Sequence, residues 1–128
     1  MRIRLTSICV DDQDRALAFY TDKLGFQKKF DIPMGEFRWL TVVSAEDPDG
    51  TELVLEPNAH QATNVWRAAL YKDGIPATAL ESADVDADYA RLTAAGVQFR
   101  GEPTDAGGTR IATFDDTCGN LIQIYQAP

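Results

Sequence analysis

The sequence predicts an α+β fold made of two tandem β-α-β-β-β modules with a helix linking them. Three observations carry this prediction. The helix-ending steps Gly25-Phe26-Gln27 and Gly96-Val97-Gln98 lie 71 residues apart. The turns Asp47-x-x-Gly50 and Asp116-x-x-Gly119 lie 69 apart. Two unrelated signals at nearly one period mark a repeat. Between them, period-two and helical apolar patterns follow one another in the same order in both halves.

The elements follow in order. Ile3 to Val10 alternates as a strand, with Leu5, Ser7 and Cys9 on one side and Thr6, Ile8 and Val10 on the other. Asp11 or Asp12 caps a helix, because a carboxylate accepts from its exposed N–H groups. Ala16, Leu17, Phe19, Tyr20 and Leu24 form its apolar stripe, and Gly25 ends it. Phe26 to Ile32, Phe37 to Ser44 and Glu52 to Glu56 read as three further strands. Pro33-Met34-Gly35 and Asp47-Pro48-Asp49-Gly50 separate them as turns. Asn58 to Asp73 reads as an amphipathic linking helix, with Val65, Trp66, Ala69 and Leu70 on its apolar side and Trp66 as a core anchor. The first pattern then returns. Ile75 to Ser82 is strand-like, Asp84 opens a helix carrying Val85, Tyr89 and Leu92, and Gly96 closes it. Val97 to Arg100, Thr109 to Phe114 and Leu121 to Tyr125 complete the second set of strands. The division is therefore a first module at about 1–57, a link at about 58–74 and a second module at about 75–128.

The chain of 128 residues suits one domain built from both modules, since a unit of roughly 55 residues buries little surface alone. Each sheet places one face against its helix and leaves the other curved and open, where a small ligand fits. Twelve basic against twenty acidic residues give a net charge of −8. That field repels nucleic acid and anionic membrane surfaces, so neither is expected as a partner. No apolar run approaches the roughly 20 residues that span a bilayer. The first residues lack the apolar stretch of a signal peptide, and the location expected is cytoplasmic. Cys9 and Cys118 make no disulfide framework and are expected to stay thiols.

Val10-Asp11-Asp12, then Arg15-Ala16-Leu17-Ala18-Phe19-Tyr20, then Leu24-Gly25-Phe26 resemble the first motif of the vicinal oxygen chelate superfamily. That group includes glyoxalase I, the bleomycin-resistance proteins and extradiol dioxygenases. Asp84-Val85-Asp86, Tyr89-Ala90-Arg91-Leu92, Ala95-Gly96-Val97 and Asp116-Thr117-Cys118-Gly119-Asn120-Leu121-Ile122 are similar to its second module. The resemblance spans nearly the whole chain. It implies a curled mixed sheet around a cavity with helices on the outer face, and a homodimer.

Metal-dependent members of that superfamily take one ligand from each of four strands, usually His, Glu or Gln. Carried over, those positions fall on Leu5, Glu56, Ala77 and Gln123. Leu5 and Ala77 offer no donor atom, and a lone Glu and Gln compete poorly with water for a divalent ion. A shift of two on the fourth strand offers Glu52 and restores neither missing ligand. His60 falls outside the strand pattern and reads as a solvated linker residue. No metal and no other cofactor is expected.

The remaining candidates come from strand facing. Glu56 lies opposite Leu53 and Leu55 and reads equally as a ligand-contacting base or as a strand-end carboxylate reaching water. Gln123, between Ile122 and Ile124, offers a neutral donor and acceptor to the cavity. One of Arg38 and Trp39 faces the cavity, to pair with an anion or to stack on a planar ligand. Ser7 shares the face of Leu5. Arg110, after Gly107-Gly108, reads as a flexible-loop contact. No nucleophilic triad is available with a single histidine outside the strands. The leading expectation is metal-independent binding of a small organic molecule by Glu56, Gln123, Arg38, Trp39 and Ser7. The alternative is a glyoxalase-like lyase, isomerase or dioxygenase, with Glu56 as the best candidate base.

Overall fold

The computed structural model describes residues 1–128. The chain forms two compact units, Met1–Val65 and Trp66–Pro128. Each contains one four-stranded mixed sheet, not closed on itself.

The first unit holds β1 (Leu5–Val10), α1 (Gln13–Ala18), β2 (Gln27–Met34), β3 (Phe37–Val43) and β4 (Glu52–Pro57). The strand order is β1-β4-β3-β2. β1 and β4 run parallel from Leu5↔Glu52 to Val10↔Pro57. A parallel pair needs a long crossover, and α1, β2 and β3 supply it. Asp12 caps α1 by accepting from the Arg15 N–H at 3.0 Å. A π-helical turn, Phe19–Lys23, prolongs the helix. Gly25 then takes φ +83°, a region costly for any residue with a Cβ, and turns the chain into β2. Ile8 and Val10, Leu40 and Val42, and Leu55 are buried, as are Ala16, Phe19 and Tyr20 of the helical segment. Alternation puts those strand residues on one face, against α1.

α2 (Gln61–Lys72) links the units. The second unit then repeats the plan with β5 (Thr78–Glu81), α3 (Val85–Ala94), β6 (Thr104–Ala106), β7 (Thr109–Asp115) and β8 (Leu121–Gln126). Its order is β5-β8-β7-β6, with β5 parallel to β8. Asp84 caps α3 as Asp12 caps α1. Val85, Leu92, Ala112, Phe114, Ile122 and Ile124 form its core.

Four expectations are corrected. Val97 to Arg100 does not become a full strand. It makes one bridge, Phe99↔Phe114, and the ladder resumes at Thr104↔Ile111 after Gly101-Glu102-Pro103. Gly101 at φ +137° and a proline without an N–H interrupt the pairing. The Pro33-Met34 pair belongs to β2, opposite Arg38 and Phe37, so the turn falls on Gly35-Glu36. Trp66 is not a core anchor, being 60% exposed, and Val65 is exposed as well. The buried residue of α2 is instead Arg67. Arg110 is no loop contact, because it stands on β7 and pairs with Asp86 and Asp105.

Candidate functional site

In the first unit, the face turned away from α1 combines apolar side chains with two hydrogen-bonded carboxylates. Parallel register sets Ser7 beside Val54 and Cys9 beside Glu56. The Ser7 hydroxyl donates to Glu56 Oε1 at 3.0 Å, and the Cys9 thiol lies 4.0 Å from Oε2. Further along β4, the Thr41 hydroxyl donates to Glu52 Oε1 at 2.8 Å and accepts from the Phe30 N–H at 3.2 Å. Neither glutamate forms an ion pair. Directly paired residues of neighbouring strands share a face, so Thr41 brings Phe30, Trp39 brings Ile32 and Phe37 brings Met34 to this side. Phe30, Ile32, Met34, Phe37 and Leu5 all remain exposed. That concentration of exposed apolar side chains is unusual for a surface without a partner.

Of the Arg38-Trp39 pair, it is Trp39 that shares the open face. Arg38 lies on the α1 side, where its guanidinium meets Asp14 and, at 3.0 Å, Asp31. The hydrogen bond to Asp14, reinforced by Asp31, raises the Arg38 pKa further. Gln13, the first residue of α1, was given no role by sequence reasoning. Its Nε2 donates to the Arg38 and Leu55 carbonyls at 2.8 and 2.9 Å, and its Oε1 accepts from the Arg38 N–H at 3.1 Å. It thus sits between β3 and β4 and takes up backbone groups that a ladder would otherwise pair.

Gln123 belongs to the second unit. It pairs with Ala79 and Thr113, on the face turned from the buried Ile122 and Ile124. That unit has a groove of about 630 Å³ lined by Gly74, Arg100, Thr104, Ile111, Thr113 and Leu121, among others. Arg100 lies over the Tyr71 ring at 5.0 Å and is 3.8 Å from Asp115. The Tyr71 hydroxyl donates to Asp115, which raises its pKa above the usual phenol value. Ala77, with no donor side chain, hydrogen-bonds through its backbone to Leu121.

Two further groups have structural partners. His60 Nδ1 accepts from the Ala62 N–H at 3.0 Å, at the start of α2. Arg67 donates to Asn120 Oδ1 at 3.3 Å and to the Cys118 carbonyl. Asp116 in turn accepts from the Cys118 and Asn120 N–H groups and from Asn120 Nδ2. This buried polar network fastens α2 to the β7–β8 turn. Nothing in the helical spacing of Val65 and Trp66 announced it.

Residues 2–124 match the family pattern of the Glyoxalase/Bleomycin resistance protein/Dioxygenase superfamily. The chain belongs to that superfamily. The uncharacterized protein YurT of Bacillus subtilis (strain 168) is 57% identical over 126 residues, which cover 98% of this chain and 99% of YurT. Among solved structures, UcmS2 superposes with a TM-score of 0.82 at 36% identity, over 98% of this chain and 97% of UcmS2. TnmS3, described as an antibiotic binding protein from Streptomyces sp. CB03234, gives 0.75 at 31% identity, over 100% of this chain and 97% of its own. The superfamily membership read from the two motif sets is thereby shown.

Proposed function

We propose that this chain is a metal-independent binder of a small organic molecule, held on the open face of the first sheet. One observation carries the reading. Exposed apolar side chains of β2 and β3, with the half-buried Trp39, share a single face with the Ser7–Glu56 hydrogen bond. Apolar walls with a few fixed polar groups are what a small-molecule site requires. The likeness to TnmS3 supports the same reading. Gln123, on the second unit's own sheet, is proposed separately as a neutral polar contact of that sheet's open face. Arg38 contributes by bracing α1 through Asp14 and β2 through Asp31.

The donor set does not fit a divalent ion. Leu5 and Ala77 have no ligating atom, and the Glu56 oxygens already meet Ser7 and Cys9. We further propose a homodimer, supported by the exposed Val65 and Trp66 on α2, and a cytoplasmic location, supported by the thiol state of Cys9 and Cys118. No helix is long and apolar enough to cross a membrane.

Thermal melting with added ligands tests the reading. Planar aromatic antibiotics are expected to raise the melting temperature, and to lose that effect in Trp39→Ala. Ni²⁺, Zn²⁺, Mn²⁺ and Fe²⁺ are expected to leave it unchanged. A stoichiometric metal in purified protein, or turnover of a hemithioacetal that disappears in Glu56→Gln, would replace binding with glyoxalase-like catalysis.

A further inference from the structure

We infer that the molecule bound on the open face of the first sheet is an organic cation with a flat apolar body; this inference rests on the binding reading above. Charge complementarity points to it. By register the open face carries Glu52 and Glu56, whereas Lys28 and Arg38 lie on the other face and Lys29, in the β2 bulge, is held by the Pro48 carbonyl and Asp49. Other carboxylates of this unit do have cationic neighbours: Asp12 meets Arg15, Asp14 and Asp31 meet Arg38, and Asp49 meets Lys29. The first three pairs lie on the α1 side, and the last joins the β2 bulge to the loop before β4. Glu52 and Glu56 are stabilised only by neutral donors, Thr41 for one and Ser7 with Cys9 for the other.

A ligand that covers this face strips water from both carboxylates. A neutral ligand leaves them desolvated without compensation, and an anion adds repulsion. A protonated amine offsets the loss through a charge-assisted hydrogen bond. The two glutamates stand four residues apart on β4, roughly 13 Å at strand rise, so one amine reaches only one of them. The apolar body then lies over Trp39, Ile32 and Phe30, and the indole adds a cation–π contribution. Neither carboxylate acts as a cluster with the other; each anchors its own end of the face.

Fluorescence anisotropy with three tricyclic probes tests this at about 0.15 M salt, where diffuse surface attraction is largely screened. The probes are proflavine, a cation; acridone, its neutral counterpart; and acridone-4-carboxylate, an anion. Proflavine is expected to bind about tenfold or more tightly than acridone, with the anion weakest. Glu52→Gln combined with Glu56→Gln is expected to remove most of that preference and leave acridone binding unchanged, each single change removing part of it. Asp22→Asn, which removes an exposed charge from the far side, is expected to change nothing. Equal affinity for proflavine and acridone overturns the cation inference and leaves the binding reading standing. So does an equal loss in Asp22→Asn, which would trace the preference to net charge. Failure of all three probes to bind overturns both. The comparison among probes uses the unaltered protein and does not depend on how well any variant folds.

Discussion

The two sheets share one plan and differ at their centres. In the second, β7 and β8 pair without a break from Arg110↔Gln126 to Asp115↔Leu121. In the first, β3 and β4 pair only at Thr41↔Val54 and Val42↔Leu53. The difference traces to the residue after each helix cap. In α3 it is Val85, fully buried against the sheet. In α1 it is Gln13, whose amide group enters between the strands and bonds to Arg38 and Leu55. One polar side chain thus holds the strands of Trp39 and Glu56 apart, next to the open face. The edges differ too. The β2–β3 ladder absorbs its irregularity between Lys28 and Phe30, whereas the second sheet loops out Gly101-Glu102-Pro103 and gains a groove. A repeat in sequence therefore guarantees the same topology without the same surface.

The largest effect expected is on the second unit alone. Arg67→Met removes two buried hydrogen bonds from a charged donor and is expected to cost about 3 kcal/mol in urea unfolding. Hydrogen exchange should quicken around Asn120 and stay unchanged in β1. Equal quickening in both units would dissolve the contrast drawn above. Next comes Gln13→Val, which gives the first unit the second unit's residue. It is expected to cost about 2 kcal/mol, since the Arg38 and Leu55 groups lose their partner. The sharper readout is the Arg38 amide, expected to exchange faster. Slower exchange would mean that β3 and β4 close up unaided and that the wedge is incidental.

Tyr71→Phe is expected to cost about 1 kcal/mol through its bond to Asp115. The folded phenol has a raised pKa, so its contribution is complete below the unfolded value of 10.0 and is lost as pH rises through the folded one. The melting difference between wild type and variant should be flat at neutral pH and shrink in strong alkali. The smallest effect belongs to Asp86→Asn. Arg110 holds the Asp86 pKa down, so that pair contributes above the unfolded value of 3.8 and fades as pH falls through the folded one. Melting curves of the two proteins should differ slightly at neutral pH and converge in acid.

Much of the fold was legible because strands, caps and turns are local signals. Asp12, Asp84, Gly25 and Gly96 sit where their chemistry demands a helix to begin or end. Strand alternation also put Ser7 and Glu56 on one face, and left open which of Arg38 and Trp39 joins them. What stayed hidden is non-local. Gln13 reads as an ordinary polar helix residue until two strands from elsewhere in the chain arrive beside it. Arg67 has no local signal of burial, because its partners, Cys118 and Asn120, are about fifty residues away. The broken pairing after Arg100 depended on how much chain the edge must accommodate, which alternation alone does not report.

Ser7 and Glu56 stand 49 residues apart in the chain, on strands that pair in parallel. Closing so long a loop costs conformational entropy before any contact repays it, so such pairings form slowly. The β2–β3 hairpin, joined by a tight turn, has no such delay. During synthesis the apolar hairpin is therefore displayed first, and the carboxylates that complete the open face arrive with β4. That face is complete only with the last step of its own unit's assembly, so a chain stalled before Glu52 would expose the apolar residues without the carboxylates that the proposed binding uses.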